Sequence, residues 1–112
     1  MEIGATKAVQ DRLKTTKIEE SKGVSRVFCR DTHLTKIKGR NVLFIINASN
    51  RYTIAMTDIE PRNWNYYAMY ISRVIHGVMQ EMGYSEDQIG QYFIMSGDTT
   101  VTKTHGRKSV GG

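Results

Sequence analysis

His33, His76, His105 and Cys29 are the side chains of this sequence best suited to acid–base, nucleophilic or metal chemistry. None of the histidines stands in an HxH, HExxH or HxxxH pattern, the spacings that bring two imidazoles to one metal ion. Each is therefore read as a surface residue, and no metal site is expected. Cys29 and His33 look like a nucleophile and its base, but positions four apart in a strand lie about 13 Å from each other. Cys29 is read instead as a small core residue. Being the single cysteine, it excludes an internal disulfide and a cysteine-built zinc centre. His105 stands near Lys103, Arg107 and Lys108, and a histidine among cations has the groups to cleave RNA. With no second base beside it, that is the lesser reading, and no catalytic residue is assigned. Gly106-Arg107-Lys108-Ser109 lacks the first glycine and the following helix of a phosphate loop, so no cofactor is expected. Asn47-Ala48-Ser49 fits a glycosylation sequon but reads as a turn.

Charge is more informative than motifs. The net charge is +5, from 16 Lys and Arg against 11 Asp and Glu. Ten of the basic residues fall between Lys7 and Arg40 with four acids among them, whereas six acids and two arginines fall between Asp58 and Asp98. A basic surface favours an anionic partner, of which nucleic acid is the commonest. The contact set predicted from this distribution is Arg26, Arg30, Lys36, Lys38 and Arg40, joined by Lys103, Arg107 and Lys108 if the last strand lies beside the others. The competing reading is a solvated sheet face with no partner.

The elements that must carry these residues follow from hydrophobic period. With 112 residues, 39% of them hydrophobic, the chain supports one core. Residues 1–5 read as a first strand and residues 6–14 as a helix capped by Thr6. Residues 15–23 are polar and read as a surface loop. Residues 24–37 are rich in β-formers and predict one long or broken strand, closed by the turn Lys38-Gly39-Arg40. Residues 41–47 are apolar on both faces, the pattern of a central strand. After Ala48-Ser49-Asn50, residues 51–57 alternate, with Tyr52, Ile54 and Met56 facing one way. These segments predict an antiparallel meander. Trp64, Tyr67, Ala68, Ile71, Ile75, Val78, Met79 and Met82 then form a helical stripe, ended by Gly83. Ser85 and Gln88 make a capping box for a second helix, and residues 99–104 read as the last strand. The fold class is α+β, an antiparallel sheet with helices on one face, in the order β-α-β-β-β-α-α-β. Residues 1–104 form the domain, and residues 105–112 a basic, glycine-rich flexible end.

No apolar run approaches the length of a membrane span, and the opening residues lack a signal-peptide pattern. A cytoplasmic protein is expected. Met69 falls on the polar row of the long helix and marks a contact surface. Tyr66, Tyr67 and Tyr70 are read as helix packing rather than a base-stacking platform.

Three segments carry a family resemblance: Ala5-Thr6-Lys7, the run from Leu43 to Tyr52 with its Asn-x-Ser-Asn-Arg-Tyr hairpin, and Thr102-Lys103-Thr104-His105-Gly106-Arg107-Lys108-Ser109. Together they resemble an uncharacterised bacterial and phage domain family over almost the whole chain. Its members usually continue past this point into a short helix, so the chain reads either as a trimmed piece or as a naturally short member. The domain is also similar to the N-terminal domain shared by a group of inhibitors of type II-A CRISPR systems. That resemblance implies a cytoplasmic protein of a bacterial host, carried by a phage or plasmid, that switches off the RNA-guided nuclease. It does so by binding the nuclease or by interfering with its guide RNA. The implied partners are the type II effector nuclease, its guide RNA, or both, with a homo-oligomer also open. A basic inhibitor is a poor mimic of DNA, and its lysines would be repelled by the basic guide channel. The other function classes are a nucleic-acid-binding module of another mobile element and a nuclease that degrades guide RNA.

Overall fold

The computed structural model describes residues 1–14 and 16–105. Arg107, Lys108 and most of the expected flexible end lie outside the described residues. The elements are β1 (Glu2–Ala5), α1 (Lys7–Gln10), a 3₁₀ turn (Arg26–Phe28), β2 (Cys29–Ile37), β3 (Arg40–Asn47), β4 (Thr53–Thr57), α2 (Pro61–Asn65), α3 (Tyr67–Glu81), α4 (Glu86–Ser96) and β5 (Thr100–Lys103). The five strands form one sheet in the order β4-β3-β2-β1-β5. The α+β class is as expected, and β2, β3 and β4 form the antiparallel meander.

The sheet is mixed, however, and not wholly antiparallel. β1 pairs in parallel with β2 on one side and with β5 on the other. A parallel pair needs a long crossover, and the chain from Thr6 to Phe28 supplies one. The meander signals said nothing about β1, whose partners are set by that long return.

Three further expectations are adjusted. The helix predicted over residues 6–14 is a single turn, Lys7–Gln10. The segment predicted as a strand over 24–37 opens with the 3₁₀ turn. The stripe running through Trp64 is carried by two helices, broken at Tyr66 (φ −120°, ψ 49°). Pro61 starts the first of them, where a missing N–H costs nothing. Across the break the Trp64 and Tyr67 rings lie parallel with centroids 5.5 Å apart, and the Arg12 guanidinium lies 5.4 Å from the indole centroid.

Inward residues come from every layer. Ile3, Ala5, Leu43, Ile45 and Val101 of the sheet meet Tyr67, Ile71 and Ile75 of α3, with Val9, Leu13 and Trp64 closing the same cluster. Burying each large aliphatic contributes about 1.5–3 kcal/mol. β3 is buried mainly on one face, because Phe44 and Ile46 on the other are only partly covered. At the β2–β3 turn Lys38 and Gly39 both take positive φ, the two-residue geometry that follows strand twist.

Strand alternation has a consequence for chemistry. If Ile3 and Ala5 enter the core, Glu2 and Gly4 must face away from it. The register places Glu2 opposite Cys29 and Gly4 opposite Asp31. The chain before β2 covers this second face, and Glu19 donates its backbone N–H to the Val101 carbonyl along the outer edge of β5. That contact occupies an edge that would otherwise offer free pairing groups.

At the start of α4 the predicted capping box is complete. The Ser85 hydroxyl accepts from Gln88 N, and the Gln88 side chain accepts from Ser85 N. Ser85→Ala is expected to lower stability by about 1 kcal/mol, read as a fall in the urea midpoint with an unchanged slope.

Candidate functional site: an apolar groove and a buried polar cluster

Residues from the end of α3, from α4 and from the β3–β4 hairpin line a groove of about 770 Å³. Ile75, Val78 and Met79 of α3 and Met82 just after it form one wall, and Gln88, Gln91, Tyr92 and Met95 of α4 the other. Ile54, Tyr52, Asn50 and Asn47 of the β3–β4 hairpin face them, with Val27, Phe28 and Arg30 closing one end. The volume lies in the range of ligand-binding sites. Val27, Tyr52, Met82, Tyr84 and Met95 on its rim are among the exposed large hydrophobic side chains of the molecule. Such a concentration of apolar surface in one place marks a contact site.

Local chemistry fixes the groove's shape. Asn47 Oδ1 accepts from the backbone N–H groups of Ser49 (2.7 Å) and Asn50 (3.2 Å), and Asn50 Oδ1 accepts from Tyr52 N (2.9 Å). These two side chains do the work of turn backbone. Their role explains why the hairpin run is so particular in sequence, with Arg51 in the left-handed region (φ 66°). Tyr92 donates its hydroxyl to the Val27 carbonyl at 2.8 Å and packs on Phe28. Gln80 and His76 of α3 both reach Glu86 at the start of α4. The Gln80 amide, and then His76, hold the Glu86 carboxyl below its ordinary range.

Arg30 lies in the end wall. It was expected on an exposed basic face, yet it is buried, with its guanidinium 5.7 Å from the Tyr92 ring. The cause is register: Arg30 shares the inward face with Ile3. One nitrogen, Nη1, donates to the carbonyls of Val27 and Cys29. Arg30 is therefore a charged element of the groove rather than of a solvent-facing patch.

The remaining predicted contact residues divide. Lys36, Lys38 and Arg40 are exposed at the β2–β3 turn, and Arg26 is exposed at the opposite end of β2. From Arg30 to Lys38 an extended strand covers about 26 Å. Lys103 is exposed on β5, two strands away from β2. Arg40 is paired with Asp58. The basic stretch is thus split between the two ends of a strand and is not gathered onto one face.

The second constellation lies on the far side of the sheet. His105 follows β5 and sits between two buried carboxylates. Its Nδ1 is 2.6 Å from Asp31 Oδ1 and its Nε2 is 3.0 Å from Glu2 Oε1, while its backbone N–H donates to Asp31 Oδ1 at 3.1 Å. The Asp31 bond foremost, then that to Glu2, raises the His105 pKa against the opposing effect of burial. Glu2 also accepts from the Ser21 hydroxyl and the Lys22 N–H, each at 2.7 Å. Cys29 is fully buried beside them, and its thiol is pushed up to about 11, first by burial and then by the charges of Glu2 and Asp31.

His105, read from sequence as a surface residue, is therefore largely enclosed. Its side chain is 10% exposed and both ring nitrogens face carboxylates. His33, by contrast, is exposed and meets the Thr6 hydroxyl, and His76 is partly exposed on α3. No spacing rule could have joined Glu2, Cys29, Asp31 and His105, because β1 brings them together only by pairing in parallel with both β2 and β5.

The sequence profile of a domain of unknown function, DUF6933, matches residues 2–112. The chain belongs to the DUF6933 family. This fits the expectation of an uncharacterised family spanning almost the whole chain. No curated protein and no solved structure matches it. In this DUF6933 chain the groove and the buried cluster both fall within the matched residues.

Proposed function

We propose that this domain acts by binding a protein partner through the groove, as an inhibitor of the RNA-guided nuclease of type II CRISPR systems. The observation that carries the binding reading is the ring of exposed Val27, Tyr52, Met82, Tyr84 and Met95 around an apolar cleft that contains one arginine. Methionines repack around differing shapes, and tyrosine and arginine are the side chains that concentrate binding energy at protein interfaces. The open rim suits an apolar segment of another protein, with a carboxylate or carbonyl of that segment meeting Arg30. The resemblance in the Ala-Thr-Lys start, the Asn-x-Ser-Asn-Arg-Tyr hairpin and the Thr-Lys-Thr end supplies the identity of the partner.

The split of Lys36, Lys38 and Arg40 from Arg26 weakens guide RNA as the first contact. Guide loading is obstructed instead by the docked protein. RNA cleavage by His105 has no support from its position between Asp31 and Glu2.

The test combines capture of the nuclease without guide, guide loading by gel shift, and guide integrity in one reaction. The expected result is capture of the free nuclease, reduced loading and intact guide. Gln91→Trp places a large ring on the exposed wall of the groove and is expected to weaken capture at least tenfold, whereas Lys36→Ala with Lys38→Ala leaves capture intact. Absence of both capture and a loading effect would remove the proposal. Direct guide binding that weakens steeply with salt and depends on Lys36 and Lys38 would replace it with the nucleic-acid reading.

A further inference from the structure

Glu2, Cys29 and His105 offer one carboxylate oxygen, one sulfur and one imidazole nitrogen, all within 4.8 Å of one another. The geometry points to a zinc site built from these three side chains, on the face of the sheet opposite the groove. The donor set is mixed oxygen, nitrogen and sulfur, which zinc accepts in tetrahedral sites. Bonds of about 2.0–2.3 Å to each donor require only that the three atoms converge on a point among them.

What distinguishes this trio from a chance cluster is the shell around it. Metal-bound histidines donate their second ring N–H to a carboxylate, which fixes the tautomer and leaves the other nitrogen for the ion. Asp31 takes that role at His105 Nδ1, directing Nε2 toward Glu2. The ligating carboxylate is itself oriented, by the Ser21 hydroxyl and the Lys22 N–H. Gly4 is the floor beneath this shell. A Cβ there would sit 2.2 Å from Asp31 Oδ1 and 3.1 Å from His105 Nδ1, so the close approach exists only because that position has no side chain. Among the described residues, the Cys29 sulfur makes long contacts of 3.4 and 3.6 Å to the Ser25 and Val24 carbonyls.

Binding exchanges protons for the ion. Zinc replaces the proton on His105 Nε2 and the thiol proton of Cys29, both of which leave to solvent. The carboxylate of Glu2 and the thiolate then balance the two positive charges. Three protein ligands leave one coordination position, which water fills. The sequence offered no hint of this, since its single cysteine and scattered histidines match no ligand spacing.

Zinc alone is the probe, titrated into the full chain against a chromophoric chelator, with cobalt as a spectroscopic substitute. One equivalent should bind, and the cobalt form should show a near-ultraviolet thiolate-to-metal charge-transfer band. Cys29→Ser should lose that band, and His105→Gln should lose stoichiometric binding. Asp31→Asn, which keeps all three ligands, should weaken zinc by about 10–100-fold. His33→Gln and His76→Gln should bind as the parent does. The inference is overturned if the parent chain leaves all the zinc with the chelator. It is equally overturned if the cobalt form lacks the charge-transfer band, a result that does not depend on any variant folding.

Discussion

Gly4→Ala is expected to cost at least about 3 kcal/mol of folding stability, enough to shift the urea midpoint of a domain this size far downward or to abolish the cooperative transition. The added methyl carbon would meet Asp31 Oδ1 at 2.2 Å, the Thr104 Cα at 3.0 Å and His105 Nδ1 at 3.1 Å. Overpacking that a flexible side chain can absorb costs about 1–3 kcal/mol. Here one obstacle is backbone, and the other two are held by hydrogen bonds to each other. β1 cannot move aside either, because it is paired on both edges. A double-mutant cycle sharpens the expectation. In an Asp31→Ala background the closest contact is gone, so the additional cost of Gly4→Ala should fall by more than 0.5 kcal/mol, the usual limit of additivity for independent sites. Equal costs in both backgrounds would show that the clash with Asp31 is relieved by movement elsewhere. The other glycines make a control: a Cβ at Gly77 or Gly90 meets nothing within 4 Å, and alanine at either helical position should stabilise by a few tenths to about 1 kcal/mol.

The same contrast shows what the sequence could and could not reveal. Local rules read well. The capping box at Ser85, the turn at Lys38 and Gly39, the alternation of Ile54 and Met56 and the stripe of Ile71 and Ile75 each depend on residues a few positions apart, and each appears in the structure. The parallel pairings of β1 did not read, because a four-residue strand carries no mark of which partner it takes. Everything that depends on those pairings was hidden with them: the burial of Arg30, the approach of Gly4 to Asp31 and the enclosure of His105. The groove was half legible. Met79 and Met82 extend the stripe past the core, but the contributions of Tyr52, Val27 and Arg30 come from segments far apart in sequence. The hairpin run was the one signal within it, and its asparagines turn out to build the groove's wall by replacing turn backbone.

Ile71→Ala and Met82→Ala, both on or beside one helix, are expected to separate folding from binding. Ile71 is fully buried and packs in the central cluster with Tyr67, Ile75 and the inward residues of β1, β3 and β5. Truncating it removes three carbons and leaves a hole that a two-layer domain can only partly close, so the expected loss is about 2–5 kcal/mol. Binding measured well below the unfolding midpoint should nonetheless retain its affinity, because Ile71 does not line the groove. Met82 stands at the end of α3, is 54% exposed and lines the rim. Its truncation should change stability by no more than about 0.5 kcal/mol, while weakening capture of the partner by several-fold, the effect of removing one apolar anchor from an interface. Paired measurements of urea unfolding and partner capture on both variants decide the matter. If Met82→Ala binds as tightly as the parent chain while Gln91→Trp also has no effect, the groove is not the docking surface. If Ile71→Ala folds with parental stability, the packing of α3 on the sheet is not the principal source of the fold's cohesion.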